Sequence, residues 1–129
     1  MQKLIKHLLS DKSLYIALAC SVFILVFSLI PVHSKLLGEV KNSDKIIHTF
    51  SYTILNLSWL FYYRPLSKLK VKLVIAFALF CYGIIIEVLQ TTLTTYRTGS
   101  FYDVVANTIG IFVALIVFDT LYKIIFQKT

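Results

Sequence analysis

Asp44, Lys45 and His48 stand within five residues of one another, Glu87 and Gln90 follow, and Arg97, Asp103 and Asn107 close the group. A histidine among carboxylates is the inventory of general acid–base chemistry, which makes His48, Glu87 and Asp103 the candidate catalytic groups. Lys45, Arg97 and a protonated His48 would equally grip an anion. With Asp44, Glu87, Gln90, Asp103 and Asn107 they form a candidate ligand-binding set. No Ser or Cys has a base at motif spacing, so an enzyme built on this set would need water or a metal hydroxide as its nucleophile. No His/Cys metal-ligand spacing occurs, and neither a metal nor any other cofactor is expected. A divalent ion held by the carboxylates would nevertheless bridge them to a phosphate. Cys20 and Cys81 lie in apolar runs and read as small buried hydrophobes.

These side chains must be positioned by a very apolar chain. Of its 129 residues 58% are hydrophobic and only 15% charged, with a mean hydropathy of +0.82. Soluble domains carry about 25% charged residues, so soluble enzymes and nucleic-acid modules are excluded, and intrinsic disorder more firmly still. The expected class is an all-α integral membrane bundle in one domain, residues 1–129, with four transmembrane helices at about 13–31, 45–63, 71–90 and 101–120. Residues 1–12 form a basic amphipathic lead-in. The first span is longer than a signal-peptide core and lacks a small-x-small site after it, so it reads as retained. The net charge of +7 needs no nucleic acid; an anionic inner leaflet and basic loops account for it.

Four spans put nine Lys and Arg on the side of the termini and the 64–72 loop, against Lys35, Lys41, Lys45 and Arg97 on the other. The positive-inside rule then makes both termini cytoplasmic and the protein multi-pass. The polar groups of the last three spans fall together on the outer side. Asp44, His48, Tyr52 and Asn56 recur every four residues on span two. Gly83, Glu87 and Gln90 share a face of span three, and Asp103, Asn107, Gly110 and Ala114 share one of span four. Polar faces turned to lipid are expensive, so the three stripes should face one another. Gly110 and Ala114 would let two backbones approach closely. Span one, with no ionisable residue, should be the least involved in function.

Structural readings stand beside the functional ones. Ser100-Phe101-Tyr102-Asp103 matches a capping box, Asp44 suits a helix start, Glu87 and Arg97 would make an ion pair, and His48 would be satisfied within the bundle. Tyr52, Tyr82, Tyr96 and Tyr102 read as packing or interfacial aromatics, and Lys72 and Lys123 as snorkelling side chains.

Taken together, Asp44-Lys45-x-x-His48-x-x-x-Tyr52, Glu87-x-x-Gln90 and Arg97-x-x-Ser100-x-x-Asp103-x-x-x-Asn107-x-x-Gly110 resemble the VanZ-like family. These are small membrane proteins named for one that lowers susceptibility to the glycopeptide antibiotic teicoplanin. The resemblance runs from Asp44 to about Ala114. It implies that Asp44, Lys45, His48, Glu87, Gln90, Arg97, Asp103, Asn107 and Gly110 are signature positions. Two positions depart from the pattern, Asn56 and Ala114, where the family often has glycine; both bear on helix packing. The resemblance implies a protein of the bacterial inner membrane and cell envelope, not a particular reaction. Three functions fit: recognition of an anionic headgroup on a lipid-linked or peptidoglycan precursor, hydrolysis or transfer on a lipid-linked phosphate, and a purely structural or partner-docking role. Membrane lipids and a lipid-linked cell-wall precursor are the expected partners, and nucleic acid is not.

Overall fold

The computed structural model describes residues 3, 11–30, 43–66, 68–96 and 98–127. Among these lie four α-helices and no strand: α1 (Ser13–Leu29), α2 (Ser43–Tyr62), α3 (Leu69–Leu93) and α4 (Phe101–Tyr122). Each boundary falls within three residues of the sequence expectation, the usual fraying of helix ends. A 3-10 turn at Arg64–Leu66 joins α2 to α3, and α4 runs on as a π-type turn over Lys123–Gln127. Pro65, which has no N–H to continue the ladder, explains why α2 stops there. Most of the basic lead-in lies outside the described residues.

Among the described residues, two helices are long and apolar enough to cross a membrane: α3, and α4 with its extension to Gln127. The other two differ from the four-span expectation for separate reasons. The apolar α1 has 17 residues, at the short end of the range. Helix α2 has 20 residues, but Asp44, Lys45, His48 and Asn56 lower its hydropathy. Of these, His48 and Asn56 are buried. Large apolar side chains instead cover the outside of the helices, among them Phe23, Phe50, Phe77 and Ile116, the surface of a protein solvated by lipid.

Helix α2 makes its most extensive packing with α4, and α1 lies against α2 and α3. A Cβ on Gly110 would run into the backbone carbonyl of Thr49, so the two backbones touch and only glycine fits. Three side chains of α2 lace this seam. Thr49 Oγ1 donates to Ala106 O at 3.1 Å, Thr53 Oγ1 to Gly110 O at 3.1 Å and Asn56 Nδ2 to Ile111 O at 2.9 Å. Polar side chains often bind transmembrane helices in this way, each such bond contributing on the order of 0.6 kcal/mol. Asn56, one of the two departures from the family pattern, thus reaches the partner backbone through its amide. Beyond the seam lies an apolar core of Leu55, Leu60, Phe61, Leu79, Ile111 and Phe118.

Candidate functional site

The three stripes meet at the end of the bundle where α2 and α4 begin and α3 ends. Exposure falls along α2: the Asp44 side chain is 48% exposed and that of Lys45 31%, while His48, Tyr52 and Asn56 are buried. Glu87 and Gly83 on α3, and Asp103, Asn107 and Gly110 on α4, are buried as well. Sequence periodicity therefore chose the inward faces correctly.

Lys45 forms the mouth of the site. Its Nζ donates to Asp44 Oδ2 at 2.5 Å and to Asp103 Oδ1 at 2.8 Å, tying α2 to the first turn of α4. One lysine offsets only one of these two carboxylates. Just inside, His48 stands between three groups. Its Nδ1 lies 3.0 Å from Asn107 Oδ1 and 4.0 Å from Glu87 Oε1, while Nε2 lies 3.9 Å from Asp103 Oδ2. An amide oxygen only accepts, so Nδ1 carries the hydrogen in this arrangement and Nε2 is turned to Asp103.

The start of α4 corrects the capping-box reading in one half. Ser100 Oγ does cap the helix, accepting from Tyr102 N at 3.2 Å. The reciprocal bond is made by Glu87, not Asp103: Ser100 N donates to Glu87 Oε2 at 3.1 Å. Asp103 instead receives Lys45. Gly99 permits this loop to lie flat on α3, because a Cβ there would meet the carbonyl of Glu87.

Other expected members are placed differently. Gln90 is buried, but its Nε2 donates to Ser28 O on α1 at 2.9 Å. Its amide therefore fastens α1 to α3. Tyr82, through its hydroxyl, donates to Ser21 O at 2.7 Å, and Trp59 Nε1 donates to Ser21 Oγ at 3.1 Å. Helix α1 thus receives hydrogen bonds without contributing an ionisable group. Arg97 lies outside the described residues. Lys72, read as a snorkelling side chain, reaches Asp119 Oδ1 at 2.5 Å. Cys20 and Cys81 are both free thiols, partly buried.

Among the described residues, the buried Tyr52 Oη and Asn107 Nδ2 have no hydrogen-bond partner. Both lie beside Gly83: a Cβ built there would be 3.2 Å from the hydroxyl and 3.3 Å from the amide nitrogen. Tyr52 reads as a packing aromatic in the sequence, and only the fold reveals its stranded hydroxyl. His48, Glu87 and Asp103 each bring one donor atom to a place where all three lie within 4.8 Å of one another, a spacing that suits a cation.

Fold and site together define a small helical membrane protein whose polar residues turn inward onto one buried centre open at the helix ends. The chain belongs to the VanZ/LLP1 family, whose model matches residues 10–124. No curated protein and no solved structure matches it.

Proposed function

We propose that this protein crosses the bacterial inner membrane four times with both termini in the cytoplasm. Its polar centre, on the outer half of the bundle, recognises the anionic headgroup of a lipid-linked or peptidoglycan precursor. Through this binding it modulates susceptibility to glycopeptides such as teicoplanin. The observation that carries the reading is the pair of stranded donors, Tyr52 Oη and Asn107 Nδ2, buried beside His48. A buried polar group without a partner costs about 1–3 kcal/mol, and an oxygen-rich ligand would satisfy both. Lys45 at the mouth and the first turn of α4 add positive potential. Asp44, Lys45, His48, Glu87, Gln90, Arg97, Asp103 and Asn107 are the ligand-binding set of this reading, with Gln90 acting through α1.

Two substitutions test it by teicoplanin susceptibility and by binding of a polyprenyl phosphate to the purified protein. His48→Ala should abolish both while the protein stays abundant. Glu87→Gln should do the same, although its amide oxygen still accepts from Ser100 N and keeps the loop in place. Full activity in both stable variants would make the centre scaffold.

A second reading, hydrolysis or transfer on a lipid-linked phosphate, is favoured by His48 standing between Glu87 and Asp103. In it His48 moves a proton and the carboxylates orient it. Phosphate release from a lipid-linked diphosphate by the purified protein, lost in His48→Ala, separates turnover from binding.

A further inference from the structure

We propose that His48, Glu87 and Asp103 hold a divalent transition-metal ion that completes the polar centre. The inference rests on reading this centre as the ligand site and would supply it with an electrophile.

The first argument is the way each side chain is oriented. His48 is held through Nδ1 by Asn107 Oδ1 at 3.0 Å. Asp103 is held through Oδ1 by Lys45 at 2.8 Å, and Glu87 through Oε2 by Ser100 N at 3.1 Å. Metal-binding side chains are commonly fixed in this manner, one atom anchored and another presented to the ion. One donor atom from each of the three residues lies within 4.8 Å of the others. His48 Nε2 and Asp103 Oδ2 are 3.9 Å apart, and Glu87 Oε1 is 4.0 Å from His48 Nδ1. Neither separation is a hydrogen bond. Nε2 faces a carboxylate oxygen at a separation that a bridging cation would close. Metal–ligand bonds of about 2.0–2.2 Å at tetrahedral angles place two donors roughly 3.3–3.6 Å apart, so a movement of a few tenths of an ångström would close these side chains on an ion.

The second argument is independent of the carboxylates. Tyr52 and Asn107 are each only 2% exposed, and Tyr52 Oη and Asn107 Nδ2 have no partner. Asn107 touches His48 through its other amide atom, and Tyr52 is one turn further along α2. Three protein donors leave coordination positions for exogenous oxygens. A water or phosphoryl oxygen bound there would accept from these two donors. Imidazole with carboxylates selects ions such as Zn²⁺ or Mn²⁺ over Mg²⁺ and Ca²⁺. No metal-ligand spacing marks the site in the sequence, because its ligands come singly from three helices.

The test uses the full chain in lipid nanodiscs, stripped with EDTA and titrated with Mn²⁺ followed by electron paramagnetic resonance. About one Mn²⁺ per chain should bind, be displaced by Zn²⁺ and raise the thermal midpoint, because an ion that binds only the folded state stabilises it. His48→Gln and Asp103→Asn should each weaken binding by about tenfold or more, and Asp119→Asn should leave it unchanged. Far less than one equivalent in the wild type, or equal affinity in a folded His48→Gln variant, overturns the inference. If a variant does not fold, the wild-type stoichiometry and Zn²⁺ competition decide. Polyprenyl phosphate added to the same sample separates this inference from the functional reading. Mn²⁺ binding without lipid binding upholds the metal and removes the headgroup, whereas lipid binding that ignores EDTA, in a chain that takes up no Mn²⁺, does the reverse.

Discussion

Helix α4 carries an aspartate near each end, and each meets a lysine from a neighbouring helix. Asp103 receives Lys45 of α2 at 2.8 Å, and Asp119 receives Lys72 of α3 at 2.5 Å. The two lie about 24 Å apart along the helix, and the chemistry of the pairs is identical. Their surroundings are not. The Asp103 side chain is 8% exposed and that of Asp119 63%. At the Asp119 end Lys72 also lies over the Phe118 ring at 5.1 Å, and Arg64 over Phe126 at 5.0 Å, so the cations rest on aromatics. At the Asp103 end the lysine closes off a buried polar cluster that holds a histidine and a second carboxylate. One pair trims a surface; the other governs whether a charge can remain inside the bundle.

Breaking the inner pair should have the largest effect. Lys45→Met strips Asp103 of its cation, and an uncompensated buried charge costs about 3–5 kcal/mol. Because Lys45 is itself partly exposed, a loss of about 3 kcal/mol is expected in denaturant unfolding of the purified protein. A loss below about 1 kcal/mol would make the two ends equivalent.

Gly83→Ala sharpens the contrast by touching the polar cluster without touching a charge. The new methyl would sit 3.2–3.3 Å from Tyr52 Oη and Asn107 Nδ2. Better helix propensity, worth about 1 kcal/mol, should roughly offset the crowding. Stability should therefore change little while binding of a polyprenyl phosphate falls by at least about tenfold. Unaltered binding in the folded variant would show that the stranded donors do not face the ligand.

The smallest effect belongs to the outer pair. Asp119→Asn should shift stability by no more than about 1 kcal/mol, as exposed ion pairs do, and leave teicoplanin susceptibility where it was. A strong phenotype there would move the functional end of the molecule.

What was legible in the sequence follows the reach of local periodicity. Asp44, His48, Tyr52 and Asn56 recur every helical turn, so their shared face needed no knowledge of the fold. The cap at Ser100 was equally local. Its reciprocal partner was not, because Glu87 lies thirteen residues upstream on another helix. The bond from Lys45 to Asp103 spans 58 residues and exists only because Gly110 brings α2 and α4 into backbone contact. Gln90 shared the correct face of α3 yet meets α1, since periodicity gives a direction and not a neighbour. Asp119 resembles a solvated helix end, and nothing in its surroundings points to Lys72. The grouping of His48, Glu87 and Asp103 was legible as facing stripes, but their separations were not: spacing rules work within one element, and these residues come from three.

The seam between α2 and α4 also has a consequence for how the molecule is made. In the four-span arrangement α2 is the helix whose polar face is least at home in lipid alone, and the carbonyls that receive Thr49, Thr53 and Asn56 belong to Ala106, Gly110 and Ile111. Those acceptors leave the ribosome about fifty residues after α2 is complete, several seconds later at about 5–20 residues per second. During that interval α2 must wait at the translocon or at the bilayer surface with its polar stripe unsatisfied. Its final placement is therefore set by the last helix to emerge, and nascent chains cut short before residue 106 are the ones that quality-control proteases should find.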